Sequence, residues 1–391
     1  APEFIEGMSN PNRVRQLGDF GINAPEHWEY PWQVDSPSVD VLVILEATAD
    51  SIENLSASLQ AELAEAGLQL LAKESGYLPP DSKEHFGFHD SISQPIIEGS
   101  PQASKLTRLN STQDVIKAGE FILGYLNEDG NYPLTPTVPV AQDPHHCLPI
   151  VAETSLKDFG RNGSYFVYRK LAQDVAGFRR HFHEQYPDAA ERDLMMAKTV
   201  GRWPSGAPLT LAPDQDPLAN GSPTDDWLQD SNNFLYGPED AQGMRCPFGA
   251  HIRRTHPRDS LLPDPADSLV SSRRRRLLRR GVLYGDPLPL GELHNDGHSR
   301  GLLFFCLNAS IRRQFEFVQQ SWVNAPTFNG LYNERDPLIG VMPDGGDRRM
   351  VIPKTPLCAQ LNLPNFVTLK GGAYFFLPSL SALRFLATID A

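Results

Sequence analysis

The chemistry this chain could support begins with one histidine. In Arg245-Cys-Pro-Phe-Gly-Ala-His251-Ile-Arg-Arg-Thr-His-Pro-Arg258 it stands between a small-residue turn and several arginines, and Pro257 stops a helix from running on. A neutral imidazole ligates metals, and guanidinium groups suit a large anionic ligand such as a porphyrin with two propionates. His251 is therefore a candidate axial ligand of haem. The same residue would serve as an ordinary structural histidine, so its meaning depends on partners elsewhere in the chain.

Three remote segments offer such partners. Asp90 sits between Phe88 and the turn-prone Ser-Ile-Ser-Gln-Pro. It could cap a turn, or it could stand at a cavity, take a proton from one peroxide oxygen and return it to the other. The run Arg273-Arg-Arg-Arg276-Leu-Leu-Arg279-Arg280 enters an apolar strand directly, which makes a buried use of its last arginines plausible. A guanidinium there would stabilise charge on a departing oxygen. Asp336, in Glu334-Arg-Asp-Pro-Leu-Ile-Gly340, is either a turn residue before proline or the carboxylate that accepts the second N–H of a ligating imidazole.

Composition narrows the field. The 391 residues carry a formal charge of −13, which argues against a general nucleic-acid or anionic-membrane binder. Hydrophobic residues make up 40%, enough for a sizeable core, and 34 prolines with 30 glycines imply long shaped loops. Cys147, Cys246, Cys306 and Cys358 are widely spaced, with no Cys-x-x-Cys pair to suggest zinc or an iron–sulfur cluster. No stretch reads as a signal peptide or a membrane span, so the cytoplasm and export both stay open.

The elements that must position these residues follow from periodicity. Val39–Glu46 is the best early strand, followed by a helix over Ile52–Ala72. Phe121–Leu126 and Gly163–Arg169 read as strands; Asp174–Gln185 and Glu191–Gly201 read as helices. An Asp/Pro/Asn-rich connector spans 207–243. Beyond it come strands at Gly281–Tyr284 and Gly301–Leu307, then an amphipathic helix over Ser310–Trp322. Strands at Phe366–Lys370 and Gly372–Leu377 and a helix from Leu380 close the chain. The repeated strand–helix grammar predicts an α+β protein of two halves, 1–206 and 244–391, joined by that connector.

Taken in order, four motifs resemble the DyP-type (dye-decolorising) peroxidases. They are Phe86-Gly-Phe-His-Asp90-Ser-Ile-Ser-Gln-Pro95, Cys246–His251 with Thr255-His-Pro-Arg258, Arg279-Arg-Gly-Val-Leu-Tyr-Gly285 and Arg300-Gly-Leu-Leu-Phe-Phe305. The resemblance runs from about Phe4 to the C-terminus. It implies two ferredoxin-like α+β domains with antiparallel sheets, of the dimeric α+β barrel type, with haem b held in the C-terminal half. On that pattern His251 matches the iron ligand, and Asp90 and Arg279 match the distal catalytic pair, with Arg280 as the rival for the arginine. Asp336 matches the acidic partner of His251 and Arg258 a propionate contact. Leu302 and Phe304 match the distal wall, and Ile92 and Ser93, just after Asp90, fall among the haem contacts.

The activity so implied is a peroxidase. It would use hydrogen peroxide to oxidise dyes and phenols in one-electron steps through a ferryl porphyrin-radical intermediate. A haem carrier or deferrochelatase-like protein is the alternative. The resemblance leaves room for a homo-oligomer. Two departures stand out. Ser91 replaces the glycine that normally follows the aspartate, which predicts strain if that position needs positive φ. The family's opening strand is also not matched, which predicts an incomplete first domain or one completed by a separate N-terminal fragment. His145 and His146 read as surface residues, His85, His89 and His256 as structural neighbours of the site. Trp203, Trp322, Tyr284 and Tyr374 read as core or loop anchors, any of which could relay an electron from outside.

Overall fold

A computed structural model of the chain describes residues 1–106, 115–152, 154–219, 221, 224, 227, 231–342 and 346–389. Its principal sheet is antiparallel and five-stranded. Ser164–Gln173 lies between Val367–Leu377 and Gly301–Asn308, and the latter also pairs with Leu278–Arg279 and Val282–Tyr284. The sheet therefore joins strands from both sides of the 207–243 segment. Ser164–Gln173 is its most enclosed member, with Val167 at 0% exposure and Tyr165 and Tyr168 at 2%. Covered on both faces, it is apolar without alternation from Tyr165 to Tyr168.

Two cores result. On one face the helices Val175–Gln185 and Ala189–Val200 pack over Phe86, Phe88, Trp203 and Phe366. The other face holds Trp28, Trp32, Tyr165, Phe305 and Tyr374. Local signals fix both helices. Asp174 accepts from the Gly177 amide at 2.8 Å, Asp188 accepts from the Glu191 amide at 2.9 Å, and Gly201 ends the second helix at φ 100°. In Gly301–Asn308, Leu303 and Phe305 are buried in the second core while the alternating Leu302 and Phe304 are half-buried.

Five elements differ from expectation. Val39–Glu46 forms no strand: among the described residues nothing pairs with it, and Val41, Val43 and Ile44 stay exposed. β propensity needs a partner to take up the backbone groups. The following helix ends at Glu65, ahead of Gly67 at φ 81°. Phe121–Leu126 is a tight loop rather than a strand, closed by Gly119 N–H donating to the Leu126 carbonyl at 3.0 Å. A Cβ at Gly119 would sit 2.2 Å from the Tyr125 oxygen, so only glycine fits. The Ser310–Trp322 helix forms, but it is wound with five-residue hydrogen bonds, Glu316 N–H to Ile311 and Asn324 N–H to Gln319. The two terminal strands merge into Val367–Leu377 across a bulge between Leu369 and Gly371.

Phe178 ties the first core to the loop that carries Asp90. Fully buried, it stacks on Phe86 at 4.4 Å and meets Phe366 edge-on at 5.3 Å. Phe178→Ala is expected to cost about 3–5 kcal/mol in chemical denaturation. A loss under about 1 kcal/mol would show that this face repacks freely.

Candidate active site

His251 opens a short helix, His251–Thr255, at the end of the Cys246–Ala250 turn. The turn is clamped from behind. Asp240 accepts from the Arg245 amide at 2.9 Å, the Cys246 amide at 2.7 Å and the Arg253 guanidinium at 3.0 Å. Arg253 is fully buried, 4.2 Å from the Tyr236 and Phe248 ring centres. Arg254, also fully buried, donates to the carbonyls of Trp322 at 2.8 Å and Ala325 at 2.7 Å. These two arginines thus hold protein together. Of the arginines in the motif, Arg258 is the one on the cavity wall.

The imidazole itself is oriented. His251 Nδ1 lies 2.9 Å from Asp336 Oδ2, and Asp336 Oδ1 accepts from the Leu338 and Ile339 amides at 3.0 Å each. Asp336 is fully buried. Burial alone would raise its carboxyl, but the neighbouring His251, the Ile339 amide and Arg254 outweigh it and hold the group below the usual range. An ionised Asp336 makes Nδ1 the donor, so the lone pair of the imidazole is on Nε2.

His251 shares its cavity with Asp90, Ile92, Ser93, Arg279, Leu302 and Phe304. Asp90 Oδ1 accepts from the Ser91 amide at 2.6 Å and from Arg279 Nη1 at 3.2 Å. Arg279 is positioned by its strand pairing with Cys306 and by Gln94 Oε1, which accepts from its amide at 3.1 Å. Arg280 is exposed and donates to the Arg279 carbonyl, so the cavity position belongs to Arg279. Ser91 has φ 64°, the left-handed region the glycine comparison pointed to.

A second group of cations, Arg202, Arg258 and Arg276, also lines the cavity. Asn232 Oδ1 accepts from Arg258 at 2.8 Å and from Arg202 at 3.0 Å, and the Arg258 guanidinium lies 4.0 Å from the Phe234 ring centre. Arg276 donates to the Ser93 carbonyl at 3.2 Å and contacts His256. Burial first, then Arg276, Arg258, Arg202 and Arg279, hold His256 well below the usual histidine range, so it is neutral. Sequence reasoning missed Arg202 and Asn232; nothing in Arg202-Trp-Pro or in the connector distinguishes them before folding. Arg276 was visible only as one of a basic run.

The donor set fits haem. One oriented imidazole has Nε2 available, Leu302, Phe304 and Ile92 supply apolar wall, and three arginines suit a pair of carboxylates. Among the described residues no cluster of three or more His, Cys, Asp or Glu side chains could hold a bare metal ion instead. His145 and His146 are exposed, as expected, and His85 Nε2 lies 2.9 Å from the Tyr284 carbonyl in the protein interior.

Comparison with known proteins agrees with this site. No family model matches the chain. The multifunctional dye peroxidase DyP2 of an Amycolatopsis species is 31% identical, over 98% of this chain and 77% of that protein. Dye-decolorizing peroxidase AauDyP1 of Auricularia auricula-judae is 30% identical, over 88% of this chain and 64% of that one. The chain thus spans about two thirds to three quarters of these relatives. The structure of AauDyP complexed with imidazole aligns over 97% of this chain with a TM-score of 0.73 at 26% identity. An ancestral D-type dye decolorizing peroxidase aligns over 98% with a TM-score of 0.72 at 27% identity. Fold and site together define a peroxidase on an antiparallel α+β scaffold. The chain belongs to the dye-decolorizing peroxidase family.

Ser91→Gly is expected to raise stability. It relieves about 1–2 kcal/mol of left-handed strain against about 0.5–1 kcal/mol of added chain entropy, a net gain of roughly 0.5–1 kcal/mol. Chemical denaturation reads the difference. A destabilised variant would show that the serine side chain is itself part of the loop's support.

Proposed function

We propose that this chain is a haem b peroxidase that reduces hydrogen peroxide and oxidises aromatic donors such as dyes and phenols. The observation that supports it most directly is one cavity holding both an Asp336-oriented imidazole and an Asp90–Arg279 pair. His251 would ligate the iron through Nε2. Arg258 and Arg276, with Arg202 behind Asn232, would hold the propionates. When bound, haem supplies the redox centre that takes two electrons' worth of oxidation from peroxide and returns it one electron at a time.

The protein's own groups do the proton work. Asp90 accepts the proton of the peroxide oxygen that stays and delivers it to the oxygen that leaves as water. Arg279, beside it, stabilises the negative charge that builds on the departing oxygen. Leu302 and Phe304 keep water from the reacting atoms, which strengthens both effects. Asp336 keeps the His251 tautomer fixed and makes the imidazole a stronger electron donor. Among the described residues no helix is long and apolar enough to cross a membrane.

Haem reconstitution followed by absorption spectroscopy tests the reading. The wild-type chain should show a Soret band that His251→Ala alters or loses. Asp90→Asn should slow the reaction with one equivalent of peroxide by about 10²–10⁴-fold with the band retained, and Arg279→Leu by about 10²–10³-fold. An unchanged band in His251→Ala, or peroxide turnover that survives both distal substitutions, refutes it.

A further inference from the structure

Asp90 is carried on a small hairpin whose tip is occupied by another carboxylate. Ser82 to Glu84 run back against Phe88 to Asp90. The Asp90 amide donates to the Ser82 carbonyl at 2.9 Å, Lys83 bridges His89, and the Glu84 amide donates to the Phe88 carbonyl at 2.9 Å. Gly87 N–H closes the turn on the Glu84 carbonyl at 2.8 Å. Across this turn the Glu84 side chain accepts from the Phe86 amide at 2.9 Å and from the Phe88 amide at 3.0 Å. It also accepts from Gln173 Nε2 at 2.7 Å. Gln173 ends the central strand of the sheet and is 7% exposed, and its Oε1 has no hydrogen-bond partner. Glu84, Gln173 and Asp90 line the same cavity.

We propose that Glu84 is a positioning residue for Asp90: its carboxylate staples the hairpin that carries the distal aspartate and moors that hairpin to the central strand. The inference rests on the reading of Asp90 as the proton carrier. A hairpin tip without such a staple would leave two amides unsatisfied near the core, and the loop would sample other shapes. Proton transfer between two peroxide oxygens tolerates little misplacement, so fixing the hairpin fixes the rate.

The staple is also a charge. Burial raises the Glu84 carboxyl above its usual range, the Phe86 and Phe88 amides and Gln173 pull it back, and Asp90 adds to the rise. From the helix Val175–Gln185, Arg179 is the cation that feels Glu84. Asp90 in turn faces Arg279 and the Ser91 amide.

The test uses the full chain, with and without haem, as wild type, Glu84→Gln, Gln173→Met and Asp90→Asn. Glu84→Gln keeps the side-chain volume, and Gln173 can turn its spare Oε1 to accept from the new amide. Deuterium exchange of the amides in 82–90 is expected to quicken about tenfold or more in Glu84→Gln. The reaction with one equivalent of peroxide should slow about tenfold or more, with the Soret band retained. Gln173→Met cuts the mooring and keeps the staple, so it too should quicken exchange. Wild-type exchange together with a wild-type peroxide rate in Glu84→Gln overturns the proposal. Should Glu84→Gln fail to take up haem, Gln173→Met decides, and exchange no faster than wild type there overturns it. Asp90→Asn keeps the two readings apart. If it reacts with peroxide as fast as wild type, the role given to Asp90 falls; if it is slow while Glu84→Gln behaves as wild type, only the role of Glu84 falls.

Discussion

An ionised carboxylate buried beside an imidazole is the constraint the rest of this structure depends on. Removing a carboxylate from water costs several kcal/mol, so it persists only where its lone pairs are met. Asp336 is fully buried, and its oxygens are met by His251 Nδ1 and by the Leu338 and Ile339 amides. Arg254 supplies positive charge nearby and spends its own donors on the carbonyls of Trp322, Val323, Ala325 and Glu334. Those carbonyls belong to the helix end and loop that lead into Asp336. One arginine of the histidine motif therefore fastens the segment from which the partner of that histidine projects.

The distal side is built on the opposite principle. Asp90 and Arg279 keep about a third of their side-chain surface open, and both contacts to Asp90 fall on Oδ1. A group proposed to gain and lose a proton cannot be saturated with donors as Asp336 is. The firmness it lacks is supplied one step back, in the hairpin held by Glu84 and Gln173 and in the Phe86–Phe178 stack beneath it. Two carboxylates in one site thus take different roles because their surroundings differ.

Much of this was legible in the sequence, for reasons that differ by residue. His251, Asp90, Arg279 and Asp336 stand in motifs whose local chemistry suggests their contacts, and the structure brings all four to one site. The helix that starts at Asp174 and the apolar strand runs could be read from composition and period, while the Asp188 cap that starts the second helix two residues earlier was not. Val39–Glu46 and Phe121–Leu126 could not. Their apolar content is strand-like, but pairing depends on what lies alongside, and one segment has no neighbour strand among the described residues while the other turns on Gly119. Arg202, Asn232 and Glu84 were invisible for a related reason. Each acts through a side chain far away in the chain, and no local pattern announces such a contact.

Two of the site's backbone positions carry strain that glycine would avoid, and both show what offsets it. Arg258 has φ 54° and Ser91 φ 64°, each worth roughly 1–2 kcal/mol for a residue with a side chain. At Arg258 the carbonyl is held by the hydroxyls of Ser268 at 2.7 Å and Ser272 at 2.8 Å, both buried on the helix Pro265–Arg273. That anchoring lets the guanidinium turn back into the cavity beside Phe234 instead of following the chain outward. At Ser91 the same backbone turn brings its amide to 2.6 Å from Asp90 Oδ1, a charge-assisted contact that steadies the carboxylate. The left-handed turn is thus what aims the amide at Asp90, and the loop keeps that geometry with a serine where family members carry glycine. Function at this position asks for the backbone conformation, and the glycine is only the least costly way to reach it.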